Sequence, residues 1–139
     1  MIMQPQAEGL HISDIMRKVH FNYRKNNPEG LIQRAILEYM QYHGIMAWRQ
    51  NSGKLVIGDK DHKRFVQLGR AGMPDIIGVI GPRFKDGSMK GMMMAIEVKT
   101  VGNKPTELQE MTMQELRDHG AIVNVIHSVD ELESWFAAI

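Results

Sequence analysis

The chain of 139 residues contains no cysteine, which excludes disulfides, thiolate-bound zinc and a cysteine nucleophile. No apolar run is long enough to span a bilayer. The first residues, MIMQPQAEGL, lack the basic-then-apolar order of a secretion signal, so a cytoplasmic location is expected. A glycine-rich loop of the Walker type is missing, so no nucleotide cofactor is expected. None of the six histidines stands at a metal-ligand spacing, and His43, His119 and His127 fall near element ends, where they read as capping or surface groups. Aromatic residues are scarce at 6%, and Trp48 and Trp135 lie in apolar patterns that suit a core better than base stacking.

What is present suits one globular domain. Hydrophobic residues make up 43% and charged residues 24%, and the length is enough to bury a core. The twelve methionines read as core and gap filling. A net charge of +1 conceals a division. Residues 105–139 hold seven acids and one base, or −6, while residues 1–104 hold sixteen bases and nine acids, or +7. Such asymmetry suits one surface for a polyanion and another that avoids it, although solvated faces could produce it by chance.

Periodicity divides the chain into elements. Ile12, Ile15, Met16 and Val19, after a Ser13 cap, predict a short amphipathic helix in an N-terminal arm, residues 1–27, that also holds the basic run FNYRKNN. From Asn27 and Pro28, a stripe of Leu31, Ile32, Ala35, Ile36, Tyr39 and Met40 predicts a helix ended by Gly44. IMAWRQNSGKLVIGD predicts a β-hairpin turning at Asn51-Ser52-Gly53. The charged turn DKDHKR and the short apolar FVQL follow. MPDIIGVI and MMMAIEVK predict strands joined by the polar loop GPRFKDGSMKG, the second apolar on both faces as a central strand would be. PTELQEMTMQELRDHG, AIVNVIH and SVDELESWFAAI then predict a helix, a strand and a closing helix with a Ser128–Glu131 capping box. The expected fold is α/β, with a central mixed β-sheet flanked by helices on both faces.

One constellation carries chemistry. Asp75 follows Gly72-Met73-Pro74 at the start of one strand, and Glu97 and Lys99 end the next. Antiparallel pairing would set these ends side by side, and alternation would put Glu97 and Lys99 on one face with Val98 turned away. Two carboxylates and an ammonium at one sheet edge are hard oxygen ligands and a cation suited to Mg²⁺ or Mn²⁺ and a phosphate. A Glu-Val-Lys strand end alone is better explained by a surface ion pair. The joint pattern with Gly-x-Pro-Asp is hard to derive from packing needs.

These residues resemble the signature of the PD-(D/E)XK nucleases, and more closely its VRR-NUC family. The resemblance rests on Glu29 in the first helix, Arg49-Gln50-Asn51-Ser52-Gly53, Gly72-x-Pro74-Asp75, Glu97-Val98-Lys99, and Gln109 eleven residues before Gly120. It covers roughly residues 28–135 and is most similar to stand-alone, phage-type members. It implies a restriction-endonuclease-like core over residues 28–139. It further implies metal ligation by Asp75, Glu97 and the Val98 carbonyl, with Glu29 reaching the ion directly or through water. Lys99 matches the catalytic lysine, and Gln109 the helix glutamine beside the site. Glu29 equally suits the first turn of a helix, and Gln109 the far half of a Thr106-x-x-Gln109 capping box. Gln114 is a competing glutamine whose distance to Gly120 fits less well.

The expected function is a Mg²⁺- or Mn²⁺-dependent DNA endonuclease, preferring four-way or branched DNA and acting as a homodimer like junction resolvases. A nuclease of restriction or end-processing specificity, or a catalytically silent DNA-binding module, are the alternatives. Arg49, Lys54, Arg70 and Lys104 are candidate phosphate contacts, although exposed charges beside a hairpin turn also keep a sheet edge soluble.

Overall fold

Asn27 starts the first helix, α1 (Pro28–Tyr42), by accepting the Gly30 N–H at 3.0 Å on its side chain, and Pro28 and Glu29 suit the first turn. Gly44, at φ +69°, ends it in the left-handed region. In this computed structural model, residues 27–81 and 90–139 are described. The expected arm helix and most of the polar loop before the Glu97 strand lie outside them. The inward ridge of α1 is Gly30, Gln33, Ile36 and Met40. Leu31, expected on that stripe, is 59% exposed instead, because the ridge passes one position further round and takes the polar Gln33 inward.

The strands are β1 (Met46–Arg49), β2 (Lys54–Ile57), β3 (Arg64–Gln67), β4 (Ile76–Ile80), β5 (Met92–Val98) and β6 (Ile122–Ile126), with α2 (Glu107–Asp118) before β6 and α3 (Val129–Ala138) after it. The main sheet has the order β1-β4-β5-β6, antiparallel except for the parallel β5–β6 pair. This is the expected mixed sheet between helices. Met94, Ile96 and Val98 join Ile36 and Met40 of α1 and Leu132 of α3 in one core. On the opposite face Ile77, Ala95 and Val123 pack with Met113 of α2. Strand alternation feeds the two layers from alternate residues of β5.

The expected hairpin over residues 45–59 does not form. β1 pairs with β4, and β2 pairs with β3 in a separate two-stranded ribbon. The apolar β4 offers β1 a buried, non-local partner, and the better turn lies later. The Asp59 side chain accepts the backbone N–H groups of Asp61 and His62 at 3.0 and 2.9 Å, an Asx-type turn. Gly58 beside it, at φ +117°, leaves no room for a Cβ, which would sit 1.9 Å from the His62 carbonyl oxygen. Asn51-Ser52-Gly53 is the link between the sheets, tied where Leu68 N–H donates to the Gly53 carbonyl at 2.7 Å.

Trp48 is also less covered than expected, at 42% exposure. It lies opposite Ile77, on the face that α2 covers only towards β6, so the β1 side of that face stays open. Met46 and Met93, with the same alternation, are exposed there too. Trp135 packs against the core as expected, stacked on Phe136.

The Gly-Met-Pro-Asp segment is pressed against α2. Gly72 has φ +78°, and a Cβ there would stand 2.8 Å from both Leu108 Cγ and Thr112 Oγ1. Pro74 beyond it is fully buried. Gly72→Ala therefore combines backbone strain with overpacking, and should lower stability by about 1–3 kcal/mol. Urea denaturation should show a reduced midpoint at unchanged slope, and a midpoint equal to wild type would contradict this account of the turn.

Candidate active site

Register brings the acids together. Ile76 of β4 pairs with Ile96 of β5, so Asp75 and Glu97, one step outward on each strand, meet at the sheet end. Asp75 is held from both sides: its carbonyl accepts the Gln50 N–H at 2.7 Å, and its Oδ2 accepts the Val98 N–H at 2.8 Å. Glu97 follows Ala95 on the α2 face and is fully buried, and Lys99 places Nζ 2.9 Å from Glu97 Oε1. Lys99 is itself anchored by its N–H to the Ile126 carbonyl. Val98 points into the other layer, as alternation requires.

The charges are in tension. Burial, then the neighbouring Asp75 charge, pushes the Glu97 carboxyl up to about 7, against the hydrogen bond and charge of Lys99. Burial also raises Asp75, opposed by the Val98 N–H and by the Lys99 and Arg49 charges. Burial alone would lower the Lys99 ammonium, but Glu97, with Glu29 and Asp75, holds it above its ordinary value. The charge of Glu29, half-buried in the first turn of α1, is felt by all three groups. The site thus lies where the α1 and α2 layers meet at the open end of the sheet.

The donors suit a hard cation. Both Glu97 carboxylate oxygens are buried and accept no hydrogen bond, apart from the ammonium set against Oε1. Among the described residues no three His, Asp or Glu side chains form a ready-made metal cage. Two convergent carboxylates with a nearby main-chain carbonyl nevertheless match the few protein ligands that Mg²⁺ takes while keeping waters.

The other expected site residues are distributed unevenly. Arg49 ends β1 opposite Ile76 and acts electrostatically on Asp75, so it belongs to the site's surroundings. Arg70 is ion-paired with Glu115 of α2, while Lys54 at the start of β2 and Lys104 in the loop before α2 are exposed. Gln109 forms the capping box, its Oε1 accepting the Thr106 N–H at 2.8 Å and its own N–H donating to Thr106 Oγ1. The Ser128–Glu131 box is only half made. Ser128 Oγ accepts the Glu131 N–H, but the Glu131 carboxylate reaches the His127 N–H and Nδ1 instead. Two buried polar residues were not anticipated, Gln33 on α1 and Thr112 on α2. The available signal for Gln33 was a glutamine placed between Ile32 and Ile36, four residues after Glu29.

The raised carboxyls have a sign that can be measured. A carboxyl whose folded pKa exceeds its unfolded value favours the folded state when protonated. Its contribution is therefore lost as pH rises from about 4.5, the ordinary value, through about 7. In chelator, wild-type stability should fall across that window relative to Glu97→Gln, by up to roughly 3 kcal/mol. Denaturant titrations of both proteins from pH 4.5 to 8 check this, and parallel profiles would show that Glu97 ionises normally.

Comparison with known proteins agrees with this architecture. Residues 27–130 match the VRR-NUC domain family. A solved structure described as a VRR_NUC domain superposes with a TM-score of 0.56 at 24% identity, covering 80% of this chain and 96% of the other, a likeness of fold. No curated protein matches the chain. No helix among the described residues is long and apolar enough to cross a membrane. Since the family match takes in well over half of the residues, this chain belongs to the VRR-NUC family of the PD-(D/E)XK nuclease superfamily.

Proposed function

We propose that the protein is a divalent-metal-dependent endonuclease that hydrolyses phosphodiester bonds in DNA, with branched DNA as its preferred substrate. The fully buried Glu97 set beside the half-buried Asp75, with Lys99 2.9 Å from Glu97, carries this reading. Folding places like charges in a poorly solvated corner, an arrangement that costs stability and is relieved by a cation.

Asp75, Glu97 and the Val98 carbonyl would hold Mg²⁺ or Mn²⁺, with Glu29 reaching it directly or through water. When bound, the ion supplies charge stabilisation at the phosphate and a more acidic water. Asp75 can present one oxygen outward because Val98 N–H fixes the other. Lys99, kept protonated by Glu97, orients the attacking water and offsets charge growing on the phosphate oxygens. Water adds at phosphorus and gives up a proton to solvent, the bond to the leaving oxygen breaks, and that oxygen takes up a proton from solvent. Arg49 and the exposed Lys54 and Lys104 extend positive potential along the nucleic-acid backbone, while Arg70 is already engaged by Glu115. Gln109 contributes by fixing the start of α2 through its capping box.

Asp75→Ala and Glu97→Ala should reduce cleavage to background with the fold retained, because each removes an ion ligand and relieves crowding. Lys99→Ala should bind DNA nearly as well but cut about 100-fold more slowly. A nicking assay in Mg²⁺, Mn²⁺ or chelator, with circular dichroism on each variant, tests the set. Wild-type rates in Asp75→Ala would overturn the site, and a wild-type protein that binds without cutting would be the silent module.

The open β1 side of the sheet, with Met46, Trp48 and Met93 exposed, supports a homodimer. One site per chain makes one cut, and a two-fold pair would place two cuts symmetrically about a branch point. A dimer by light scattering that cleaves four-way DNA in preference to linear duplex is the expected result. A monomer that remains so on a junction and cuts both substrates equally would remove both parts.

A further inference from the structure

Among the described residues, side-chain polar atoms that are buried without a hydrogen bond occur on only two residues, Glu97 and Gln33. The Glu97 oxygens belong to the site. Gln33 is 5% exposed on the inward ridge of α1, and its Oε1 accepts nothing. A buried amide oxygen left without a donor is destabilising, whereas an apolar side chain of the same size would not be. The next two residues of this ridge favour such a replacement: Ile36 and Met40 continue it into the core cluster that contains Ile76, Ile96 and Val98. Those three strand residues immediately flank Asp75 and Glu97. Glu29, whose charge acts on Asp75, Glu97 and Lys99, precedes Gln33 by one helical turn, which sets their Cβ atoms about 5–6 Å apart on the same side of α1. Gln33 thus stands one helical turn beyond Glu29, on the ridge that continues through Ile36 and Met40 into the apolar layer.

We infer that Gln33 is a positioning residue of the active site, its Oε1 kept to accept a hydrogen bond from the water shell of the divalent ion that Glu29, Asp75 and Glu97 attract. The donor missing from the protein alone arrives with the hydrated cation, whose coordinated waters are strong donors. Glu29 and Gln33, one turn apart, would together order the α1 side of that shell, opposite the carboxylates and Lys99 on the strands. This inference rests on the metal-dependent reading of the same site. It adds that α1 contributes through two residues and not one.

The test measures Mn²⁺ binding by calorimetry, and thermal unfolding in chelator, for the full chain and the variants Gln33→Met, Gln33→Glu and Asp75→Ala. Gln33→Met removes the acceptor at nearly constant volume. It should leave the chelated protein at least as stable as wild type while weakening Mn²⁺ binding about fivefold, the worth of one hydrogen bond. Gln33→Glu keeps an acceptor oxygen and should retain binding of at least wild-type strength. If Gln33→Met is less stable in chelator yet binds Mn²⁺ as wild type does, the amide is structural and the inference fails alone. If wild type binds no Mn²⁺, or Asp75→Ala binds it equally, the metal reading fails and this inference goes with it.

Discussion

The hydrogen bond from the Val98 N–H to Asp75 Oδ2 joins the two strands at the point where their regular ladder ends. It is made by a carboxylate in place of a carbonyl, so the last rung of the β4–β5 pair is also the first fixed point of the site. Because the side chain of Asp75 is committed on one oxygen, its other oxygen has a defined direction. The backbone that carries it is held on the far side by Gln50. Slippage of this pair by one residue would turn Glu97 and Lys99 into the other layer. The apolar residues of β5, divided between two cores, prevent that slip. Packing of Met94, Ile96 and Val98 on one side and Ala95 on the other thereby sets the aim of the charged groups at the strand end.

The corner so formed stores electrostatic cost. Glu97 is driven towards neutrality by burial and by Asp75, and Lys99 only partly compensates. A core optimised for stability would not keep such a pair, and its persistence is in keeping with a nuclease-type family, in which a polar corner at a sheet end is a place for function rather than for packing. The helix layers divide the work. α2 presses on the Gly72 turn and keeps Asp75 near the strand end, and α1 brings Glu29 around from the opposite side.

Much of this was legible from local chemistry. Asn27-Pro28 and Gly44 bracketed α1, and Thr106 and Gln109 announced α2. The uninterrupted apolar run before Glu97 marked β5 as central, and alternation alone put Glu97 and Lys99 on one face. What failed did so where partners are distant in sequence. Asn51-Ser52-Gly53 has the composition of a turn, but β1 gained more by pairing with β4 than with the neighbouring β2, and no local rule weighs those options. Trp48 and Leu31 were misjudged because their coverage depends on how far α2 extends and on the rotation of α1. Gln33 escaped notice because a glutamine within an apolar stripe ordinarily turns outward, and only the assembled layer shows that it does not.

The β2–β3 ribbon stands apart from this economy. Leu55, Val56, Ile57 and Phe65 leave both of its faces substantially exposed, and it contributes no strand to the main sheet. It leaves and rejoins the domain at neighbouring points, after Arg49 and before Gly72. An isolated two-stranded ribbon is only marginally stable, so this segment should open independently of the global transition. That gives the domain a place where length is nearly free. Residues can be inserted or exchanged between Gly53 and Leu68 without altering the β1–β4–β5 register, so the length of this ribbon can change while the corner formed by Asp75, Glu97 and Lys99 keeps its geometry.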